Sequence, residues 1–286
     1  MTRSLRFVVF ADVDRHADLR WVGHHRGVDV VAFFKPHELS TYSQRLKQGD
    51  IHGVYLATHP MNQPNAAIEA AQRHVHVFCE GPMALTHKHC ESMIAACTEH
   101  NRHLMVGRRL YFQPARAYLR EVLESQSLVP RVFSAVHQST MDVSHSDLLH
   151  TAVHDYLNAA YDVFDSWPTF IEHASRSTAN LSVVMRFQSA VSTFVGSVGC
   201  AHSQATLLSR DEAITVSGMF DHFSSAIVTT RASSRSFRPL NPIVAEVDRF
   251  VRTIRRDLSP VLPFSAAHGM NLVKVTENIE RQLMRP

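Results

Sequence analysis

The chain has 286 residues, 45% of them hydrophobic and 19% charged, and its 29 basic and 26 acidic side chains leave a net charge of +3. That length holds one large or two ordinary domains, and the composition excludes the disordered class. No run of five or six like charges marks a nucleic-acid or lipid surface; Arg249, Arg252, Arg255 and Arg256 fall at helical spacing, as on a solvated helix face.

The first hundred residues alternate short β-branched or aromatic runs with longer helical patterns, which predicts βαβ units and a parallel sheet. Strands are expected at Phe7–Phe10, Val28–Phe33, Gly53–Ala57, His76–Cys79 and His103–Val106. Helices are expected at Pro64–Arg73 and Thr86–His100, each with an apolar stripe. After Gly107 the texture changes. A helix at Pro114–Ser125, a strand at Arg131–Gln138 and a helix at Asp147–Phe164 lead into strand-like alternation from Leu181 to Val198. Strands at Gln204–Ser209, Ala213–Gly218 and Ser225–Ala232 follow, and helices at Pro242–Arg256 and Ser265–Leu283 close the pattern. Successive strands with few helices between them imply a mixed, largely antiparallel sheet. The expected architecture is a Rossmann-like domain over 1–108 and an α+β domain over 109–286, the last helix being free to pack back on the first domain.

Cys79, Cys90, Cys97 and Cys200 show no zinc or redox spacing, which suits packed thiols and a reduced, cytoplasmic setting. No stretch of 18 apolar residues and no signal-type segment is seen, so neither export nor membrane insertion is expected. The 20 histidines include His24/His25, His74/His76 and His87/His89, but no third ligand recurs at zinc spacing, and no metal is expected.

Motifs in register run from Val54 to Pro114. They are Val54-Tyr55-Leu56-Ala57-Thr58; Val75-His76-Val77-Phe78-Cys79-Glu80-Gly81-Pro82-Met83-Ala84; Leu104-Met105-Val106-Gly107; and Phe112-Gln113-Pro114. Together they resemble the glucose-fructose oxidoreductase / inositol dehydrogenase (Gfo/Idh/MocA) family, with its strand ending in Ala-Thr, its Glu-Lys-Pro turn and its crossover into a second domain. The resemblance implies a pocket between domains, a homodimer or homotetramer formed through the second-domain sheet, and an NAD(P)-dependent activity. It carries the nucleotide cleft onto Ala57, Thr58, His59 and Glu80. Tyr111 and His154 take catalytic positions, with His150 where the family has an aspartate; Gln113 and Asp155 take substrate-side positions.

The sequence departs from the family at three places. Its glycine-rich phosphate turn is replaced by Phe10-Ala11-Asp12-Val13-Asp14-Arg15-His16-Ala17, with no glycine and two carboxylates that would repel a pyrophosphate. Phe34-Lys35-Pro36 stands where the second strand usually ends in an aspartate; a lysine there would suit the 2′-phosphate of NADP. Glu80-Gly81-Pro82 lacks the lysine of the family mechanism.

On a helix, His150 and His154 share one face. Three roles are open to them: general acid/base work, a zinc site completed by Asp147 or Asp155, or hydrogen bonding at a domain interface. The favoured function is therefore a cofactor-independent isomerase, lyase or cyclase acting on a small polar metabolite through His154, helped by His150 and Tyr111. An NADPH-dependent oxidoreductase with an atypical phosphate loop, and a ligand-sensing scaffold, are the alternatives.

Overall fold

A computed structural model describes residues 4–12, 16–139, 148–177, 180–198, 202–220, 225–260 and 264–284. Contacts divide the chain into two compact units, Met1–Arg108 with Ile243–Lys274, and Arg109–Pro242 with Val275–Pro286. Residues 243–274 thus group with the first unit rather than with 109–242.

The first unit holds β1 (Leu5–Ala11), α1 (His16–Gly23), β2 (Val28–Phe34), α2 (Leu39–Leu46), β3 (Gly53–Ala57), α3 (Gln63–Gln72), β4 (His76–Cys79), α4 (His87–Glu99) and β5 (Leu104–Val106). The strands form a parallel sheet in the order β2-β1-β3-β4-β5. Both faces of such a sheet are covered, so its central strands read as continuous apolar runs. Val8, Phe10, Val54, Leu56, Val77 and Cys79 make one face, packed with Tyr42 of α2, Ala66 and Ala70 of α3 and Met93 of α4. On the other face Phe7 and Phe78 meet Phe250, 5.5 and 5.7 Å away between ring centres; Phe250 lies on α7 (Pro242–Arg256). The helices start where chain chemistry supplies a partner for free N–H groups: the Thr86 hydroxyl accepts from the N–H of His89 at the head of α4.

The sequence reading omits α1 and α2. Each is eight residues long, and among the described side chains each buries a pair of apolar ones, Leu19 with Val22 and Tyr42 with Leu46, which is too little for a helical stripe to stand out.

The second unit holds α5 (Pro114–Ser125), β6 (Val132–Ser139), a π turn at Leu149–Val153 running into α6 (His154–Phe164), and then β7 (Phe170–Arg176), β8 (Asn180–Arg186), β9 (Val191–Val198), β10 (His202–Leu208), β11 (Ala213–Ser217), β12 (Ala226–Thr229) and β13 (Ser234–Phe237). Helix α8 (Ala266–Leu283) spans the sequence boundary between the units. The sheet order is β13-β12-β11-β10-β6-β9-β8-β7. Only β6 and β9 run parallel among its paired strands, which makes the sheet mixed and largely antiparallel, as the sequence implies.

The long alternation from Leu181 resolves into β8 and β9 with a turn between them, and Ser225–Ala232 shortens to β12 followed by β13. The edge strand β7 carries a single buried side chain, Ile171, so its period-2 signal is faint. On the covered face Tyr156 of α6 stacks on Phe133 at 5.4 Å and 5°, and meets Phe194 at 5.0 Å. Burial also raises the Tyr156 hydroxyl's pKa.

Candidate functional site

In the first unit the strand order reverses direction between β1 and β3, the switch point where open α/β sheets take ligands at the carboxyl ends of their strands. Ala57 ends β3 and pairs with Ala11, which ends β1. Just beyond them, Asp12 bridges the two strands. Its N–H donates to Ala57 O at 3.4 Å, Thr58 Oγ1 donates to its Oδ1 at 2.9 Å, and the His59 N–H donates to its Oδ2 at 2.9 Å. Asn62 Nδ2 donates in turn to Thr58 Oγ1 at 3.4 Å. The His59 ring accepts from the N–H of Met61 through Nδ1 at 3.3 Å and stays exposed. Val13, Asp14 and Arg15 lie outside the described residues.

Glu80 follows β4, and its N–H donates to Leu56 O at 2.9 Å, so Glu80 and the Ala57–His59 segment share the carboxyl edge of the sheet. Its side chain, however, turns inward and is 5% exposed. The Tyr55 hydroxyl lies 3.2 Å from Glu80 Oε1 and 3.4 Å from Oε2 of the fully buried Glu246. A phenol donates one proton, so the two carboxylates share a single donor there. Gln63 Nε2 pins the following turn by donating to the carbonyls of Glu80 and Pro82. Gly81 brings no side chain to this turn, and Lys88 points from α4 into solvent.

In the second unit, His150 lies in the π turn and His154 opens α6; they are 7% and 3% exposed. Single π turns inside α-helices occur frequently at functional sites. Asn158 Nδ2 donates to His154 O at 3.2 Å, and Asp155 is half-buried in the first turn of α6. Asp147, the other carboxylate considered with the histidines, lies outside the described residues. Among the described residues no group of three or more His, Cys, Asp or Glu side chains converges as a metal cage would.

Tyr111 sits in a 3-10 turn, Arg109–Phe112, under the Arg120 guanidinium at 4.2 Å, and Arg120 NH2 donates to its carbonyl at 3.3 Å. The Gln113 amide is engaged with the backbone of Leu240: Nε2 donates to its carbonyl and Oε1 accepts from its N–H, both at 3.3 Å. That two-way bond is an anchor between chain segments. Helices α5 and α6 are joined by the buried pair Arg116–Asp162, with Arg120 3.7 Å from the same carboxylate.

Asp12, Tyr55 and Glu246 are site features that the sequence reading did not assign. In the sequence Asp12 stood out as one of two carboxylates, after an apolar strand, that would repel a pyrophosphate, but not as a partner of Thr58 and His59. Tyr55 and Glu246 were hidden within a strand and a helix whose patterns are explained by packing alone.

Residues 16–108 match the family described as GFO_IDH_MocA, "Oxidoreductase family, NAD-binding Rossmann fold". A 2,7-anhydro-N-acetylneuraminate hydratase from Mediterraneibacter gnavus is 27% identical over 116 residues, covering 36% of this chain and 31% of the relative. An uncharacterized oxidoreductase from Streptococcus pneumoniae is 30% identical over 105 residues, covering 32% and 29%. The chain therefore aligns with less than a third of the length of these curated relatives.

Solved structures match over nearly the full length. An aldose-aldose oxidoreductase from Caulobacter crescentus, complexed with glycerol, has a TM-score of 0.76 at 19% identity, covering 98% of this chain and 97% of that one. A 3-ketoreductase from Actinomadura kijaniata, in complex with NADP and TDP-benzene, has a TM-score of 0.80 at 12% identity, covering 98% of each. At those identities the structures establish the fold alone. Residues 16–108 thus match the Gfo/Idh/MocA family in sequence, and the chain shares its fold with such oxidoreductases over nearly its whole length.

Proposed function

We propose that this chain uses its Gfo/Idh/MocA fold for acid/base chemistry without a dinucleotide, as an isomerase, lyase or cyclase acting on a small polar metabolite. His154 is the general acid/base, assisted by His150 and Tyr111. The observation that carries the reading is the Asp12 carboxylate, held across the switch point by the Thr58 hydroxyl and the His59 N–H. A dinucleotide needs its phosphates met there by free donors and a positive field. Instead, two donors are already engaged by a negative charge. Two unit charges about 5 Å apart repel by about 3 kcal/mol at an effective dielectric of about 20. These residues do not fit a pyrophosphate.

An imidazole that takes a proton from one position of a substrate and returns it to another completes its cycle with no hydride carrier. A hydratase among the curated relatives is in keeping with a reaction that has no net redox change. The test is a thermal-shift titration with NADPH and NADH, followed by incubation with neutral aldoses, ketoses and sugar acids in deuterated water. The expected result is no shift with either nucleotide, and deuterium incorporation by the wild type that His154→Ala abolishes. A ligand at a hundred times its Kd stabilises by about 2.7 kcal/mol, so a clear rise with NADPH would overturn the reading.

Such a rise would favour an NADPH-dependent oxidoreductase, for which Lys35, directly beyond the end of β2, is the supporting observation. A protein that neither binds nucleotide nor incorporates label would instead fit a ligand-sensing scaffold.

Assembly as a homodimer or homotetramer through the second sheet is part of the same proposal. Its uncovered face carries a cross-strand row of Val195, Val136, Gln204, Ser217 and Ile227, flanked by Val191 and Leu208, with all five apolar members exposed. Sedimentation at micromolar concentration should give a multiple of the chain mass. A monomer would refute it. Among the described residues no helix is long and apolar enough to cross a membrane.

A further inference from the structure

We infer that Asp12 is the specificity-determining residue of the first unit's switch point: its carboxylate bars phosphate from a latent diphosphate site formed by the Thr58 hydroxyl and the His59 N–H. This rests on the acid/base reading above, because it explains how a Rossmann sheet is kept from its usual anionic ligand.

The geometry is specific. The β1–β3 ladder continues through the bond from Asp12 N–H to Ala57 O, which fixes the Asp12 backbone against β3. From that fixed point each carboxylate oxygen takes one donor, Thr58 Oγ1 on Oδ1 and the His59 N–H on Oδ2, both at 2.9 Å. A hydroxyl and a backbone N–H side by side at the carboxyl end of a strand are donors that would suit phosphate oxygens. Asn62 adds an amide, 3.4 Å from Thr58 Oγ1. With the carboxylate in place these donors are partnered and the local field is negative. Making the side chain neutral removes the repulsion and releases at least one donor, while an amide oxygen can still accept from the other.

The experiment uses wild type, Asp12→Asn and Asp12→Glu, titrated with inorganic pyrophosphate and ADP by calorimetry. The backbone amide resonance of His59 serves as the local reporter. Circular dichroism and melting establish that each variant is folded. Wild type and Asp12→Glu should bind neither probe at millimolar concentration. Asp12→Asn should bind pyrophosphate at least about tenfold more tightly, since removing one charge–charge repulsion at this range is worth a factor of that size or more, and its His59 amide should shift on titration. If Asp12→Asn does not fold, Asp12→Ser replaces it.

Submillimolar pyrophosphate binding by the wild type that moves the His59 resonance overturns the inference, and this arm needs no variant. So does a folded Asp12→Asn that binds no better than wild type, the result expected if Asp12 only holds the turn together. The two readings fail separately. NADPH binding by the wild type that leaves His59 unmoved sinks the acid/base proposal alone, and an Asp12→Asn that gains nothing sinks this inference alone.

Discussion

At the amino edge of the first sheet, His76 accepts the His103 N–H through Nδ1 at 3.1 Å, while its Nε2 lies 3.3 Å from the Arg102 guanidinium and its ring stacks on His103 at 4.7 Å. Burial first, then the neighbouring His103 and Arg102, lowers its pKa from 6.5 to about 4; Asp257, which pairs with His103 at 3.1 Å, opposes this, and His52 adds to it. Because the folded pKa lies below the unfolded one, the unfolded chain binds more protons between these values. Stability contributed by neutral His76 is therefore complete above about pH 6.5 and lost as pH falls toward 4. At 1.36 kcal/mol per pKa unit the ceiling is about 3 kcal/mol, and solvent screening at this edge reduces it to about 1–2 kcal/mol.

Urea unfolding of wild type and His76→Asn at pH 7.0, 5.5 and 4.5 measures the effect. An asparagine amide oxygen can take over the acceptor role without titrating. The wild type should lose about 1–2 kcal/mol more than the variant across that range. If both lose stability in parallel, the acid sensitivity lies elsewhere and the reasoning about His76 fails.

Removing Asp162 leaves Arg116, 3% exposed, without its carboxylate, so Asp162→Ala should cost about 3–5 kcal/mol in chemical denaturation. Tyr55→Phe deletes the hydroxyl placed between Glu80 and Glu246; a loss of about 1–3 kcal/mol is expected, with far-UV dichroism unchanged. A methyl group at Gly53 would come within 2.7 Å of the buried Phe7 ring. Gly53→Ala should therefore lower stability by about 1–3 kcal/mol, while Gly49→Ala, which meets no neighbour but holds φ at +74°, tests backbone strain alone.

The parallel sheet could be read from the sequence because strands buried on both faces leave unbroken apolar runs such as Phe7–Phe10 and Val54–Ala57. Three of the Val54–Pro114 motifs carried the resemblance for the same reason, each lying at the end of such a strand, while Phe112-Gln113-Pro114 leads into α5. Elements with little to bury were hard to see: α1, α2, β7 and β13 present one or two inward side chains each, or none. The site was legible in type more than in arrangement. The sequence flagged acidic residues after β1, but not that Asp12 reaches the His59 N–H, because a bond between residues 47 apart depends on strand register. Glu80 could be placed at a strand end, but its inward turn toward Tyr55 depends on a helix some 160 residues later. The resemblance gave Gln113 a substrate-side position, but its bond to the backbone of Leu240, 127 residues away, could be known only from the fold.

The π turn at Leu149–Val153 has a consequence for how this helix tolerates insertion and deletion. A π turn holds one residue more than the i→i+4 pattern needs, and each residue of an α-helix advances about 100° around the axis. Deleting the exposed Thr151 would let the helix close as continuous α. The π turn spends its extra residue within a single turn, so the side chains before it would keep nearly the same phase relative to those after it. His154 and the aromatic packing of Tyr156 would stay where they are, and His150 would stand three positions before His154 instead of four, a spacing that still shares a face. The turn is thus a place where this helix can lose one residue without rotating either flank, whereas the same deletion inside α6 would turn everything before it by about 100°.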